Sequence, residues 1–282
     1  EALNSPAGSA ARNRFHFYDG KNATTPPNNW ISLFGGPSWT QVSDGQWYLH
    51  LFDSSQPDLN WDNPEVMADF EKTIRFWLDL GADGFRIDVA HGMIKEAGLP
   101  DVAKKSKLLD KDARPYWNQP GVHEIYRSWR KIFDSYPGDR MGVAEAWVPA
   151  EDLPLYLRPD ELANSFNFAF LDAKWDAKII KQKIKETFKN LAGTGAPASW
   201  VYENHDVTRK VNRFDRNLGG GGVSNPRERW GDLKKFSLER GTRRARAGAL
   251  LMLALPGGAY IYQGEELGLP EVTNIPKNRL ED

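Results

Sequence analysis

Short apolar segments that alternate with helical sequence constrain the fold of this chain more than any other feature. Five such segments follow one another, and each passes at its end into polar or charged residues. Strands that alternate with helices form parallel β-α repeats, and the chemistry of such folds lies at the carboxyl ends of the strands. The pattern predicts an α/β fold built on a barrel. The predicted strands are residues 84–88, 141–144, 165–170, 199–203 and 259–262.

An open, doubly wound sheet is the alternative α/β arrangement. Sheets of that type carry a glycine-rich phosphate-binding turn after a strand. No predicted strand of this chain is followed by such a turn. A complete barrel of parallel strands has eight of them, so the five strands predict a partial (β/α)8 TIM barrel.

Local signals mark the helices between the predicted strands. Asn63 is a typical helix cap, Pro64 suits the first helical position, and Gly81 is a stop signal. Within each predicted helix, apolar residues recur at a spacing of three or four. The predicted helices are residues 64–80, 122–133, 175–191 and 243–255.

Residues 1–60 differ from the rest of the chain because they contain many prolines and glycines and few periodic runs. Residues 39–42 and 46–52 flank an Asp44-Gly45 turn, which predicts a β-hairpin. We therefore expect two domains, a small loop-rich region at residues 1–60 and the partial barrel at residues 61–282.

Composition excludes several classes of function. The formal net charge of −1 argues against a nucleic-acid-binding surface. No run of about 18 apolar residues is present, so we expect no membrane span. The chain has no cysteine, which excludes disulfides, thiolate zinc sites and a cysteine nucleophile. A reducing compartment fits this composition, and we expect a cytoplasmic location.

Arg86 and Asp88 form the first candidate functional pair. Side chains repeat with a period of two along a strand, so both residues point to one face. An arginine beside an aspartate can keep that carboxylate ionised and fix its orientation. The alternative is a purely structural ion pair at the end of a strand.

Three predicted strand ends carry carboxylates, namely Asp88, Glu145 and Asp206. Two carboxyl groups that face one glycosidic bond can cleave it, one as nucleophile or base and the other as acid. Apolar neighbours raise the pKa of a carboxyl group, which suits Glu145 as the acid. The charge of Arg86 suits Asp88 as the nucleophile. A structural glutamate bonded to backbone amides is the alternative for Glu145.

Five segments in chain order resemble the motifs of the α-amylase family, glycoside hydrolase family 13. The first has the form associated with oligo-1,6-glucosidase-like members, and the last resembles the eighth strand of the family's barrel with its loop. The segments are Gln56-Pro57-Asp58-Leu59-Asn60 and residues 84–88, 145–147, 201–206 and 257–268.

The resemblance implies a role for each matching residue. Asp88 matches the nucleophile, Glu145 the general acid and later base, and Asp206 the carboxylate that binds sugar hydroxyls. Arg86 matches the residue that orients the nucleophile, and His205 matches an imidazole that contacts the glucose.

Three further residues match family positions whose roles vary more than those of the carboxylates. His91 lies where the family often contacts the leaving group, although a loop histidine without a role is an equal alternative. Arg209 follows Asp206 by three residues, and we expect it to close the sugar subsite or to pair with Asp206. Val89 lies at a position associated with linkage preference, and valine resembles the members that prefer α-1,6 bonds.

The activity implied is that of a retaining α-glucosidase on maltose- or isomaltose-type oligosaccharides. A transglycosylase, an isomerase or a sucrose-active enzyme shares the mechanism, and a non-catalytic relative is a remote alternative. The implied partner is a small α-glucoside, with no nucleic acid and no membrane. We expect no cofactor, because the calcium positions of the family lie mostly before the matching region.

The resemblance covers the second part of the family's domain B and the fourth to eighth barrel strands. The first three strands, with the family's histidine motif, would precede residue 1, which implies an internal fragment of a longer enzyme. We expect these 282 residues alone to be unstable or inactive, because an incomplete barrel leaves strand edges unpaired.

Overall fold

Two groups of elements make up the chain in a computed structural model, which describes residues 1–103, 114–219 and 236–279. The first unit contains residues 1–149 and 160–162, and the second contains residues 150–159 and 163–282. The predicted domain boundary at residue 60 falls inside the first unit and stays a prediction.

The first unit contains both an antiparallel and a parallel strand arrangement. A short 3-10 turn, Ala2–Asn4, precedes its helices and strands. Its elements are α1 (Ala10–Asn13), β1 (Phe17–Asp19), β2 (Trp39–Gln41), β3 (Gln46–Leu49), α2 (Pro64–Asp79), β4 (Gly84–Ile87), α3 (Val122–Asp134) and β5 (Met141–Ala144).

The second unit alternates short strands with helices. A 3-10 turn, Lys277–Arg279, follows its last strand. Its elements are α4 (Leu153–Tyr156), β6 (Ala163–Ser165), α5 (Phe168–Leu171), α6 (Ala177–Leu191), β7 (Ser199–Val201), α7 (Lys210–Asp215), α8 (Leu238–Ala254) and β8 (Gly258–Tyr260).

The predicted hairpin is confirmed. Strands β2 and β3 pair antiparallel, and β1 lies on the other side of β3. In the turn, the Asp44 carboxylate accepts a hydrogen bond from the Gln46 amide at 3.2 Å, and Gly45 has a φ of +94°. A positive φ of this size favours glycine, which explains the turn sequence. The sheet covers a core that contains Trp30, Trp39 and Leu49.

Helix α2 and strand β4 follow the predicted signals. The Asn63 side chain accepts a hydrogen bond from the Glu65 amide at 2.9 Å, and Pro64 opens the helix. Strands β4 and β5 pair in parallel, with Arg86 opposite Val143 and Ile87 opposite Ala144. This register brings the carboxyl ends of the two strands side by side.

Strands β7 and β8 also pair in parallel, with Trp200 opposite Ala259. Trp200 belongs to a buried cluster that includes Phe170, Tyr202 and Phe214. The parallel pairs in both units agree with the predicted α/β class, while the partial-barrel arrangement stays a prediction.

The predicted strand at residues 165–170 is wrong. Strand β6 ends at Ser165, and Phe168–Leu171 form a helical turn. The Asn167 side chain accepts a hydrogen bond from the Phe170 amide at 3.0 Å and thereby caps this turn. A capping bond of this kind offers the backbone an alternative to a strand ladder.

The predicted helix at residues 243–255 begins five positions earlier than expected, at Leu238. Ser237 caps it, because its hydroxyl oxygen accepts a hydrogen bond from the Arg240 amide at 3.2 Å. Across residues 1–103, 114–219 and 236–279, no helix combines the length and apolar character that a membrane span requires.

Candidate active site

Arg86 and Asp88 form the predicted ion pair at the end of β4. The guanidinium Nη1 of Arg86 lies 2.6 Å from Oδ1 of Asp88. Arg86 lies in β4 and Asp88 is the first residue after it, so the contact agrees with the period of two that places residues 86 and 88 on one face.

Glu145 joins this pair from the neighbouring strand. Nη2 of Arg86 lies 2.9 Å from Oε2 of Glu145, so one guanidinium holds both carboxyl groups. The amide of Val89 also donates a hydrogen bond to Oε2 of Glu145, at 3.1 Å. Glu145 therefore has both an ionic and a backbone partner, and each comes from β4 or the residues just after it.

Backbone bonds that continue past the two strands fix this arrangement. The Glu145 amide donates to the Ile87 carbonyl at 2.9 Å, and the Ala90 amide donates to the Glu145 carbonyl at 2.9 Å. Asp88 thus lies between two residues whose backbones are tied to Glu145. Asp88 and Glu145 each lie one residue past a strand end, and these backbone bonds hold the two residues next to each other.

The environments of the two carboxyl groups differ. The side chain of Glu145 is 9% exposed, whereas that of Asp88 is 69% exposed. Burial is the largest influence on Glu145 and raises its pKa to about 7; the nearby Asp88 carboxyl acts in the same direction. The Val89 amide and Arg86 lower the pKa of Glu145 but do not offset burial. This asymmetry suits one carboxylic acid and one carboxylate.

Val89 has a left-handed backbone, with a φ of +45°. This conformation is unusual for a β-branched residue and costs on the order of 1–3 kcal/mol. The same residue directs its amide at Oε2 of Glu145. The strained residue is therefore the one whose amide links the end of β4 to Glu145.

His91 is buried directly beside this arrangement. Its ring centroid lies 4.7 Å from that of Trp117. Burial is the main cause that lowers the pKa of His91 to about 4, against a hydrogen bond to the Glu145 backbone that raises it. Within the described ranges its Nδ1 has no hydrogen-bond partner. His91 is thus neutral near pH 7, and its predicted contact with the leaving group stays a prediction.

In the second unit, the residues after β7 form a polar turn. The Asn204 side-chain oxygen accepts a hydrogen bond from the Asp206 amide at 3.0 Å, and its amide group donates to Oδ2 of Asp206 at 3.3 Å. The Nε2 atom of His205 lies 3.4 Å from Oδ1 of Asp206. His205 and Asp206 are both exposed.

Arg209 pairs with Glu203 rather than with Asp206 in the described part of the chain. Its Nη1 lies 3.2 Å from Oε2 of Glu203 and donates to the Gln263 carbonyl at 2.6 Å. Its guanidinium carbon lies 4.7 Å from the centroid of the Tyr262 ring. The other predicted role, closure of a sugar subsite, stays a prediction.

Sequence reasoning did not single out the buried charges beneath this turn. The ammonium group of Lys210 pairs with Glu265, and both side chains are buried. Arg213 is also buried, and burial is the main cause that lowers its pKa to about 10. The sequence feature that could have predicted these buried charges is the position of two acidic residues, Glu203 directly before Asn204 and Glu265 at the polar end of the last strand.

A second missed pair lies in the first unit. Nζ of Lys95 lies 2.8 Å from Oδ1 of Asp58 and also donates a hydrogen bond to the Gly92 carbonyl. Oδ2 of Asp58 accepts a hydrogen bond from the Leu51 amide at 2.7 Å. The aspartate of the 56–60 motif therefore ties the hairpin region to the segment that follows β4.

The predicted site residues thus fall in two sets. Arg86, Asp88, Val89, His91 and Glu145 come together in the first unit, and the second unit holds His205, Asp206 and Arg209. In the three described ranges, no group of three or more His, Asp or Glu residues has the geometry to hold a metal ion.

Residues 2–282 match the family model for the α-amylase catalytic domain. The chain is 34% identical over 287 residues to the oligo-1,6-glucosidase of Parageobacillus thermoglucosidasius, covering 96% of this chain and 46% of that protein. It is 32% identical over 292 residues to an α-glucosidase of Saccharomyces cerevisiae, covering 94% of this chain and 45% of the relative.

Solved structures with similar folds include sucrose-converting enzymes. The trehalulose synthase MutB of Pseudomonas mesoacidophila is 28% identical, with a TM-score of 0.73 that covers 93% of this chain and 45% of that one. A variant of the isomaltulose synthase of Erwinia rhapontici, solved with its natural substrate sucrose, is also 28% identical, with a TM-score of 0.76 and coverage of 94% and 46%. The chain spans about half the length of the relatives it matches.

Proposed function

Because this chain belongs to the α-amylase family of glycoside hydrolases, we propose that the protein containing it is a retaining α-glucosidase. The observation that carries the proposal is the arrangement of Asp88 and Glu145 on one guanidinium, with Glu145 buried and Asp88 exposed. Oligo-1,6-glucosidases and an α-glucosidase among the relatives support terminal α-1,4 or α-1,6 glucosidic bonds as the target.

In the first step, a carboxylate oxygen of Asp88 attacks the anomeric carbon of the terminal glucose. The bond between that carbon and the glycosidic oxygen breaks, and Glu145 donates its proton to the departing oxygen. The product is a covalent β-glucosyl-enzyme on Asp88. A pKa near 7 keeps a large fraction of Glu145 protonated at neutral pH, as a general acid requires.

In the second step, the ionised Glu145 takes a proton from a water molecule, which attacks the anomeric carbon. The ester bond to Asp88 breaks, and α-glucose is released with net retention. Arg86 stays paired with Asp88 while the charge on that carboxylate changes. Asp206 and His205 bind sugar hydroxyls, which favours the distorted ring of the transition state.

A sugar isomerase is the second candidate. The specific observation that favours it is the similarity to trehalulose and isomaltulose synthases. Such an enzyme shares the glucosyl-enzyme step and transfers the glucose to a released sugar instead of water. We also propose that the chain forms part of a (β/α)8 barrel, that a domain boundary lies at residue 60 and that the protein is cytoplasmic.

Product analysis distinguishes the candidates. The protein containing this chain is incubated with maltose, isomaltose and sucrose at low and high concentration, and the products are separated by chromatography. A hydrolase releases free glucose, whose first anomer in proton NMR is α. An isomerase converts sucrose to another disaccharide with little free glucose, and the absence of any conversion would contradict both proposals.

A further inference from the structure

Glu203 is the last buried acidic residue before the turn that carries Asp206. Its side chain is almost fully buried, and Oε1 accepts a hydrogen bond from the Lys210 amide at 2.6 Å. Its other oxygen, Oε2, lies 3.2 Å from Nη1 of Arg209. One carboxylate thus joins the beginning of the 203–210 segment to its end.

The far end of this segment is also anchored to the residues after β8. Nη1 of Arg209 donates to the Gln263 carbonyl at 2.6 Å, and the Lys210 ammonium pairs with Glu265. Glu265 in turn accepts a hydrogen bond from the Tyr262 amide at 3.0 Å. The segment is therefore closed on itself by Glu203 and fixed to a neighbouring strand end by Arg209 and Lys210.

Contacts within its own turn hold the side chain of Asp206. Its described side-chain partners are Asn204 and His205, which belong to the same turn. Because Asn204 and His205 belong to the same turn as Asp206, their contacts cannot fix the position of this turn relative to strands β7 and β8. The buried contacts of Glu203 with Arg209 and Lys210 supply that constraint from outside the turn.

Burial of these charges points to a positional role. A buried ion pair contributes little net stability compared with apolar side chains of similar size, and its best-supported use is to specify geometry. Residues that hold functional groups from behind are themselves held by packing and hydrogen bonds. Glu203, Arg209, Lys210 and Glu265 satisfy this description in the second unit.

We propose that Glu203 is a positioning residue that fixes the orientation of Asp206 by closing the 203–210 segment through Arg209 and the Lys210 amide. The activity readout of this inference rests on the proposed α-glucosidase function. Glu203 itself needs no contact with the substrate, since its carboxylate is buried and fully engaged with protein groups.

A double-mutant cycle tests the coupling. In the protein containing this chain, Glu203→Gln retains the side-chain shape but removes the charge that faces Arg209. We expect kcat/KM on p-nitrophenyl α-glucoside to fall by about thirtyfold, and by less than about threefold when Asp206→Asn is already present. Glu266→Gln, a neutralisation of an exposed neighbour, is the matched control and leaves kcat/KM unchanged.

An equal fold-loss in both backgrounds would overturn the inference, because a general structural defect acts independently of Asp206. Hydrogen exchange of the amides at residues 204–208 provides a readout without substrate. We expect exchange at least about tenfold faster in Glu203→Gln, and unchanged exchange would also overturn the inference. Absence of α-glucosidase activity in the unaltered protein would contradict the proposed function alone.

If Glu203→Gln fails to fold, Arg209→Lys takes its place in the same cycle. Lysine keeps the positive charge but lacks the planar guanidinium that lies over the Tyr262 ring, so it holds Glu203 and the Gln263 carbonyl less well. We expect a smaller loss in kcat/KM, again confined to the background that retains Asp206. A loss of equal size in both backgrounds would count against the inference.

Discussion

The guanidinium of Arg86 holds the carboxyl group of Glu145 at 2.9 Å across two neighbouring parallel strands. The same guanidinium holds Asp88, the first residue after its own strand, at 2.6 Å. Arg86 therefore acts on both candidate catalytic groups: it balances the charge of Asp88 and lowers the pKa of Glu145 against the larger effect of burial.

The pH dependence of activity follows from this balance. Glu145 must be protonated to act as the acid, and its pKa is raised to about 7. We expect kcat/KM to fall about tenfold per pH unit above that value. Arg86→Met removes a charge that lowers the pKa of Glu145, so the residual activity should decline only at higher pH. Arg75→Met, at an exposed arginine, is the control. If kcat/KM of Arg86→Met declined at the same pH as in the unaltered protein, Glu145 would not be the acid.

The same pKa makes stability depend on pH. The folded-state pKa of Glu145 is raised from an ordinary value of 4.5 to about 7. Its stabilising contribution to the free energy of unfolding is therefore fully present below pH 4.5 and is lost as pH rises through 7. We expect the unaltered protein to lose stability relative to Glu145→Gln over this window. Urea unfolding of both proteins from pH 4 to 8 measures the difference, and a constant difference would refute the prediction.

Neutralising Asp88 should abolish turnover. Asp88→Asn removes the nucleophilic oxygen, and we expect kcat on p-nitrophenyl α-glucoside to fall at least about a thousandfold. Asp62→Asn, at another exposed aspartate of the first unit, is the matched control with unchanged kcat. Near-normal turnover of Asp88→Asn would show that another residue is the nucleophile.

The buried pair of Lys95 and Asp58 should matter for stability. Lys95→Met leaves the Asp58 carboxylate without its cation in a largely buried position, and we expect a loss of roughly 3–5 kcal/mol. Lys72→Met, which breaks an exposed pair with Asp69, should change stability very little. Urea unfolding curves of the two variants measure the contrast, and equal effects would contradict it.

The 282-residue chain on its own should be inactive. Large apolar side chains are exposed at Phe76, Trp77 and Leu80 in the first unit and at Leu250 and Leu253 in the second. Exposed apolar clusters mark surfaces that are normally covered. We expect binding of a hydrophobic dye, non-cooperative melting and no α-glucoside hydrolysis. Cooperative melting together with normal hydrolysis would contradict this prediction.

Local signals were sufficient for much of the fold. Helix α2 begins at Pro64 and is capped by Asn63, and the Arg86–Asp88 pair forms as the period of two predicts. These features depend on residues within a few positions of one another. Local signals also compete, as at residues 165–170, where alternating phenylalanines indicated a strand but the Asn167 cap formed a helical turn.

The family, the parallel β-α pattern and the candidate carboxylates could all be predicted from the amino-acid sequence, because each is encoded in short segments and their order. The raised pKa of Glu145, in contrast, arises only in the folded protein. Burial is the main cause of this shift, and the Val89 amide and Arg86, which lower the pKa, lie more than fifty residues earlier in the chain. Lys210 and Glu265 are likewise far apart in the sequence, and only the packing of the folded chain brings these two buried charges together.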